Sequence, residues 1–130
     1  MYERTTEGVR VRVEPAYDAV RSDPSEHSYF WTYTIEIRNE GSATVQLLSR
    51  HWIITDAAGV TEVVRGPGVV GQTPVLDPGE SFTYTSGCPL RTPSGIMVGS
   101  YRMVTEDGTA FDVEIPAFSL DQPGARVAVN

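Results

Sequence analysis

The 130-residue chain contains no lysine, a single cysteine and no long run of apolar residues. All ten basic residues are arginine, so the chain has neither a P-loop lysine nor a lysine that could form a Schiff base. Cys88 alone excludes an intramolecular disulfide and a zinc site built from several cysteines. The N-terminal segment MYERTTEGVR lacks the apolar stretch of a signal peptide, and no run reaches the roughly 18 residues of a membrane span. We therefore expect a cytoplasmic protein without a membrane span.

The charge of the chain argues against nucleic acid as a partner. Its net charge is −7, and the ten arginines are spread along the sequence without forming a basic run. Affinity for nucleic acid depends on clustered cations that neutralise the phosphate backbone. Closely spaced metal-ligand motifs such as HExxH and CxxC are also missing. The sequence predicts no nucleic-acid binding, no cofactor, no metal site and no catalytic residues.

Apolar residues recur at every second position, which is typical of half-buried strands. This pattern occurs in four segments: Val9 to Val13, Tyr29 to Ile37, Phe82 to Tyr84 and Phe111 to Ile115. Turn-forming residues separate the strands, and no segment has the 3.6-residue period of a helix. The pattern predicts an all-β, immunoglobulin-like or fibronectin type III-like antiparallel sandwich of seven to eight strands.

We expect one domain over residues 1–130, with a core over about residues 7–120 and a flexible tail at 121–130. Long connections are predicted at residues 16–27 and 65–79, and loops of that length are often functional.

The predicted strand Val45 to Asp56 carries apolar residues in both phases. Such a pattern indicates either a β-bulge or burial of both faces. Within it, Trp52 is expected in the core, and His51 is interpreted as a structural histidine that is hydrogen bonded.

Residues 66–71 spell GPGVVG, a literal G-x-G-x-x-G. A dinucleotide-binding turn would lead into a helix, whereas Gln72-Thr73-Pro74 cannot start one. Two interpretations are left open: a tight loop or bulge at the edge of the sandwich, or a nest of loop amides that binds an anion. Hydrolytic chemistry is not indicated either. Thr85, Ser86 and Cys88 offer possible nucleophiles, but no G-x-S-x-G elbow surrounds them, and a buried, passive thiol is expected at Cys88.

Four strings occur in a fixed order between residues 45 and 101: VQLLSRHWIITDAAG, GPGVVG, LDPGESFTYTSG and TPSGIMVGSY. On these strings the chain resembles the ApaG family, also known as the DUF525 domain, and the resemblance extends from Val9 to about Pro123. It implies a fibronectin type III-like fold and an association with resistance to, or efflux of, cobalt and magnesium. The domain also occurs in eukaryotic F-box proteins and in a polymerase-delta-interacting protein. Such reuse is typical of interaction modules, and the family has no agreed catalytic residues to transfer.

Two functional hypotheses follow. The first is a non-catalytic module that binds a protein partner through Arg50, His51, Trp52 and the loop Gly66 to Gly71. The alternative is a site for a phosphate or pyrophosphate compound or a divalent cation on the glycine loop, with a weak hydrolase activity as a further option. The family name, which derives from gene adjacency to a diadenosine tetraphosphate hydrolase, implies this alternative. Together the candidate residues are Arg50, His51, Trp52, Arg65, Gly66, Gly68, Gly71, Thr85 and Ser86. The sequence leaves the partner and the oligomeric state open.

Overall fold

A computed structural model of the chain describes residues 1–124 and places nine β-strands and one short 3₁₀ helix among them. The strands are β1 (Tyr2–Thr6), β2 (Val9–Tyr17), β3 (Tyr29–Asn39), β4 (Val45–Asp56), β5 (Thr61–Pro67), β6 (Val75–Leu76), β7 (Ser81–Leu90), β8 (Ser94–Thr105) and β9 (Ala110–Asp121). The 3₁₀ helix spans Pro24–Glu26. Over the described residues, no helix has the length and apolar character needed to cross a membrane.

The strands form two antiparallel sheets that pack face to face. The first sheet has the order β1-β2-β3-β7, and the second has the order β5-β4-β8-β9, with β6 also paired to β4. The predicted all-β sandwich is therefore confirmed, with nine strands rather than seven to eight. The difference comes from the two-residue β6 and from β1, which lies ahead of residue 7.

The core lies between the two sheets and follows the alternation seen in the sequence. In β3 every second residue from Tyr29 to Asn39 is buried, and the intervening residues are half-exposed. The largest fully buried side chains come from both sheets: Trp31, Tyr101, Phe118, Ile35, Ile37, Leu47, Met97, Met103, Ile115 and Leu120. Burial of this apolar surface at about 25 cal/mol per Å² is the main force that holds the sheets together.

Strand β4 changes phase at a β-bulge. Its register with β8 shifts between Leu47 and Ser49, so that Leu48 becomes the unpaired, exposed residue. Before the bulge Leu47 faces the core; after it Trp52 and Ile54 do. The apolar residues in both phases thus reflect the bulge, which was one of the two options that the sequence left open.

The predicted connections are shorter in the structure than in the sequence analysis. Strand β2 continues to Tyr17, so the first connection begins later than residue 16. The segment 65–79 contains the end of β5 and the whole of β6. At the C-terminus Asp121 ends β9, and residues 125–130 of the predicted tail lie outside the described residues.

Candidate functional site

The nine candidate residues do not form one surface. Trp52 is buried in the core, with 3% of its surface exposed, and Arg50 lies in the same inward phase of β4. His51 lies in the opposite phase and pairs with Arg65 of β5 on the outer face of the second sheet. Thr85 is on the outer face of the first sheet, where its hydroxyl is 2.9 Å from that of Thr34. The structure therefore distributes the candidates between the interior and the outer faces of both sheets.

The glycine-rich segment is a tight turn. Val69 and Gln72 exchange two backbone hydrogen bonds of 2.9 and 2.8 Å, and Val70 and Gly71 between them have φ angles of 43° and 78°. Two central residues with positive φ define a type I′ turn, in which a β-branched residue such as Val70 is strained. The glycine-rich segment thus ends β5 and continues into a tight turn at residues 69–72.

Three amides of the glycine-rich segment already donate hydrogen bonds within the protein. The N–H groups of Val69 and Gln72 donate to each other's carbonyl oxygens, and that of Gly68 donates to Leu48 O at 2.8 Å. Gly68 has a φ of +62°, and a Cβ built on it would lie 2.3 Å from Gln72 O. The geometry of the turn therefore explains why position 68 is a glycine, and no ligand is needed to explain it.

Arg50 fastens this turn to the second sheet. Its Nη1 donates to Pro67 O and to Gly68 O, both at 3.0 Å. Gly66 pairs with Arg50 across the strands, and a Cβ on Gly66 would lie 3.0 Å from two guanidinium nitrogens. The absence of a side chain at Gly66 therefore leaves the room that the guanidinium occupies.

Four of the candidates, Arg50, His51, Arg65 and Gly66, line a groove of about 430 Å³ on the second sheet. Arg65, His51, Ser100 and Glu114 form one row across β5, β4, β8 and β9. We call this groove the basic groove, and its lining residues are Ser49, Arg50, His51, Arg65, Gly66, Ser100, Arg102 and Asp112. Arg102 is bound to Asp112 at 2.7 Å, so its charge is partly neutralised. The basic groove keeps an excess of positive charge in a chain whose net charge is −7.

His51 does not have the expected hydrogen bond. Its Nε2 atom is buried and has no hydrogen-bond partner among the described residues. The interpretation of His51 as a hydrogen-bonded structural histidine is therefore wrong, because the bulge in β4 turns the imidazole outward into the basic groove.

An exposed apolar row lies beside the basic groove. Val63, Ile53 and Val98 are direct cross-strand neighbours on β5, β4 and β8. Their exposed fractions are 54%, 38% and 39%, and Ile96, two residues from Val98, is 52% exposed. We call these four residues the outer patch. Sequence reasoning missed them, although apolar residues in both phases of β4 were a signal of an apolar outer face.

Cys88 is a buried thiol that has no activating histidine beside it among the described residues. Burial and, to a lesser extent, the nearby Glu62 carboxylate together raise the pKa of the Cys88 thiol to about 11. Cys88 faces the interior from β7, whereas His51 faces outward from the second sheet, so the two do not meet. Among residues 1–124 no three His, Cys, Asp or Glu side chains are grouped so that they could hold a metal ion.

A family model for the ApaG domain (DUF525) matches residues 19–105. The chain belongs to the ApaG family. It is 57% identical to "Protein ApaG" of Beijerinckia indica and 59% identical to that of Mesorhizobium japonicum, in each case over 100% of both chains. The crystal structure of the ApaA protein of Bordetella pertussis is 49% identical, with a TM-score of 0.87 over 95% of this chain and 98% of that one. The C-terminal domain of Wzt, 13% identical with a TM-score of 0.54 over 92% of this chain and 76% of that one, shares the fold alone.

Proposed function

We propose that the chain is a non-catalytic interaction module that binds a protein segment rich in both apolar and acidic residues. The segment would lie on the outer face of the second sheet, across the outer patch and the basic groove. The proposal rests mainly on the continuity of the outer patch with the basic groove. Val63 and Arg65 are two residues apart on β5, as Ile53 and His51 are on β4.

The outer patch supports an interaction because such faces are usually polar. An antiparallel sheet with one solvated face normally alternates apolar residues inside with polar residues outside. In β4, β5 and β8 this alternation is broken by four exposed apolar side chains in neighbouring positions. Contiguous exposed apolar surface rimmed by polar groups is typical of protein-binding sites.

Charge complementarity supports the acidic character of the partner. Arg65 is exposed, and the ion pairs among residues 1–124 do not include it. A carboxylate of the partner could pair with Arg65 at the rim. This pairing would speed association and set the orientation of the partner segment on the sheet.

Three features support the non-catalytic part of the proposal. The Cys88 thiol is buried and its pKa is raised, which opposes the thiolate form that attacks a substrate. Thr85 and Ser86 point to opposite faces of the first sheet. Neither hydroxyl is hydrogen bonded to a histidine or carboxylate among the described residues.

The test is selection of a random peptide display library on the immobilised protein. We expect enriched peptides that combine acidic and apolar residues, and binding that weakens as salt is raised. Ile53→Thr with Val98→Thr, and separately Arg65→Glu, should weaken binding by about tenfold or more. Arg38→Glu, on the outer face of the first sheet, makes the same charge change and should leave binding intact. Enrichment of peptides without acidic residues, or equal loss in the Arg38 variant, would contradict the proposal.

The alternative ligand, a phosphate or pyrophosphate compound, is less well supported. The amides of Gly68, Val69 and Gln72 are already used as donors within the protein, so the loop offers few for a phosphate. Titration with pyrophosphate, diadenosine tetraphosphate or Mg²⁺ followed by amide NMR distinguishes the two. Saturable shifts confined to the glycine loop would favour the alternative over the module.

The association of ApaG proteins with cobalt and magnesium resistance supplies a physiological readout for the same proposal. A strain that carries the Ile53→Thr and Val98→Thr chain is expected to tolerate Co²⁺ as poorly as a strain that lacks the gene. Full tolerance in the variant strain would argue that the outer patch has no part in that phenotype.

A further inference from the structure

The two sheets are open along one side, between β5 and β7. Two hollows of about 220 and 190 Å³ lie there, and they share Tyr33, Arg50, Trp52 and Ser86 in their walls. We call this space the edge cleft. Tyr33 and Ser86 line it from the first sheet, and Arg50 and Trp52 line it from the second.

The edge cleft contains a guanidinium without a carboxylate partner. Arg50 is partly buried, yet the ion pairs among residues 1–124 do not include it. Its Nη1 donates to Pro67 O and Gly68 O, which leaves donors on Nη2 and Nε. Buried arginines are normally paired, so an arginine held in a cleft by carbonyls alone is suited to an anion from outside.

The walls beside Arg50 are apolar and aromatic. The rings of Tyr33 and Trp52 meet edge to face, with centroids 5.5 Å apart, and Ile54, Cys88 and Met97 continue the lining. Each hollow is smaller than the roughly 300–1,000 Å³ of a typical site for a drug-sized molecule. The space therefore suits a flat apolar body of about one ring.

The charge of the cleft favours a single negative charge. Among the described residues that line the cleft, Arg50 is the one arginine. The Glu62 carboxylate lies at the rim of the same hollow. Glu62 would repel a phosphate chain with several charges more strongly than a single carboxylate, and such a chain would lack a second cation.

We propose that the edge cleft binds a small organic carboxylate, with the carboxylate on Arg50 and a flat apolar body against Trp52 and Tyr33. This site is separate from the outer patch, which lies on the opposite face of the second sheet. Arg50 also lines the basic groove, so the two proposals are distinguished by the signal of Trp52, which lines the edge cleft and not that groove.

The test is a titration of the ¹⁵N-labelled full chain with phenylacetate, followed through the two tryptophan indole N–H signals. Trp52 lines the cleft, whereas the Trp31 indole donates to Asp121 O away from it. A saturable shift of the Trp52 signal, with Trp31 unmoved, is expected. Phenylacetamide, which has the same shape without the charge, should bind at least about tenfold more weakly. The proposal would be overturned by equal binding of the amide or by the absence of a shift with phenylacetate. A Trp52 shift caused by pyrophosphate instead would also overturn it.

Two variants locate the site. Arg50→Met should weaken phenylacetate binding by about tenfold or more, but it also releases the carbonyls of the turn. Ser86→Leu fills the cleft from β7 and keeps the bonds between Arg50 and the turn, although it removes the hydrogen bond between Ser86 and Tyr33. Thr83→Leu adds the same side chain on the outer face of β7 as a control. Loss of binding in the Ser86 variant with retention in the Thr83 variant is expected, and unchanged binding in the Ser86 variant would place the ligand elsewhere.

Discussion

At the scale of single residues, Asn39 joins three parts of the chain. Its Nδ2 donates to Ala43 O at 2.8 Å and to Leu76 O at 2.9 Å, and its Oδ1 accepts from Gly41 N at 3.0 Å. Asn39 is buried, with 1% of its surface exposed, and among the described residues it is the one buried side chain that is neither apolar nor aromatic. It therefore fixes the end of β3, the following turn and β6 relative to one another.

Asn39→Ala should lower the free energy of unfolding by about 2–3 kcal/mol. The physical reason is that the buried Leu76 carbonyl loses its donor, which costs more than the bond itself contributed. Urea unfolding measures the effect. Ser42→Ala, an exposed change in the same turn, should stay within about 0.5 kcal/mol of the parent. Similar unfolding of the two variants would show that the amide of Asn39 does not hold these segments together.

At the scale of elements, the sequence predicted the alternation within each strand. It did not predict which side chains of β4 face the core. The period of two in β3 is local, so the buried positions from Tyr29 to Ile37 follow directly from the residues. The bulge at Leu48 reverses the phase of β4 and so decides that Arg50 faces in and His51 faces out. A one-residue shift of register moves every later side chain to the other face. Sequence could offer a bulge only as one of two options.

Gly99 shows how β8 accommodates the core tryptophan of β4. It pairs with Trp52, and a Cβ built on it would lie 2.6 Å from His51 O and 2.7 Å from Trp52 Cε3. Gly99→Ala should therefore displace the indole and destabilise the protein by about 1–3 kcal/mol. Thermal unfolding checks this, with Ser100→Ala, whose side chain points outward, as the matched control. A Gly99 variant as stable as the control would mean that the indole does not pack on this backbone.

At the scale of the whole molecule, buried hydroxyls join the two sheets. The hydroxyl oxygens of Tyr84 on β7 and Tyr101 on β8 are 2.5 Å apart. Burial raises the pKa of Tyr33, Tyr84 and Tyr101 above the ordinary value of 10.0. Burial also raises the pKa of the Cys88 thiol from 9.0 to about 11. The folded chain thus keeps protons that the unfolded chain would release.

Stability should therefore fall at alkaline pH. Below pH 9.0, the ordinary pKa of the thiol, these groups are protonated in both states and their contribution is fully present. Above it the unfolded chain loses protons first, so the free energy of unfolding declines, more steeply beyond pH 10.0 where tyrosines ionise. Urea unfolding from about pH 7 to pH 11 measures the decline. Tyr101→Phe removes one such group and should show a shallower decline, whereas equal slopes would contradict this assignment.

The strands and the tight turn could be predicted because they are encoded locally in the sequence. Most of the candidate site could not, because it is assembled from distant segments. The tight turn at residues 69–72 is encoded locally by Gly68 and Gly71. The basic groove and the outer patch are assembled from β4, β5, β8 and β9, which are distant in sequence. Cross-strand neighbours such as Val63, Ile53 and Val98 depend on register, which a single sequence does not state.

The most direct test of the proposed interaction is site-specific photo-crosslinking in the native cells. The photo-reactive amino acid benzoylphenylalanine would replace Val98 in the outer patch or, as a control, Thr83 on the outer face of the first sheet. The account predicts one dominant protein adduct from position 98 and none from position 83. The adduct from position 98 should disappear when Arg65→Glu is added. No adduct from position 98, the same adduct from both positions, or an adduct with a second copy of this chain would contradict the account.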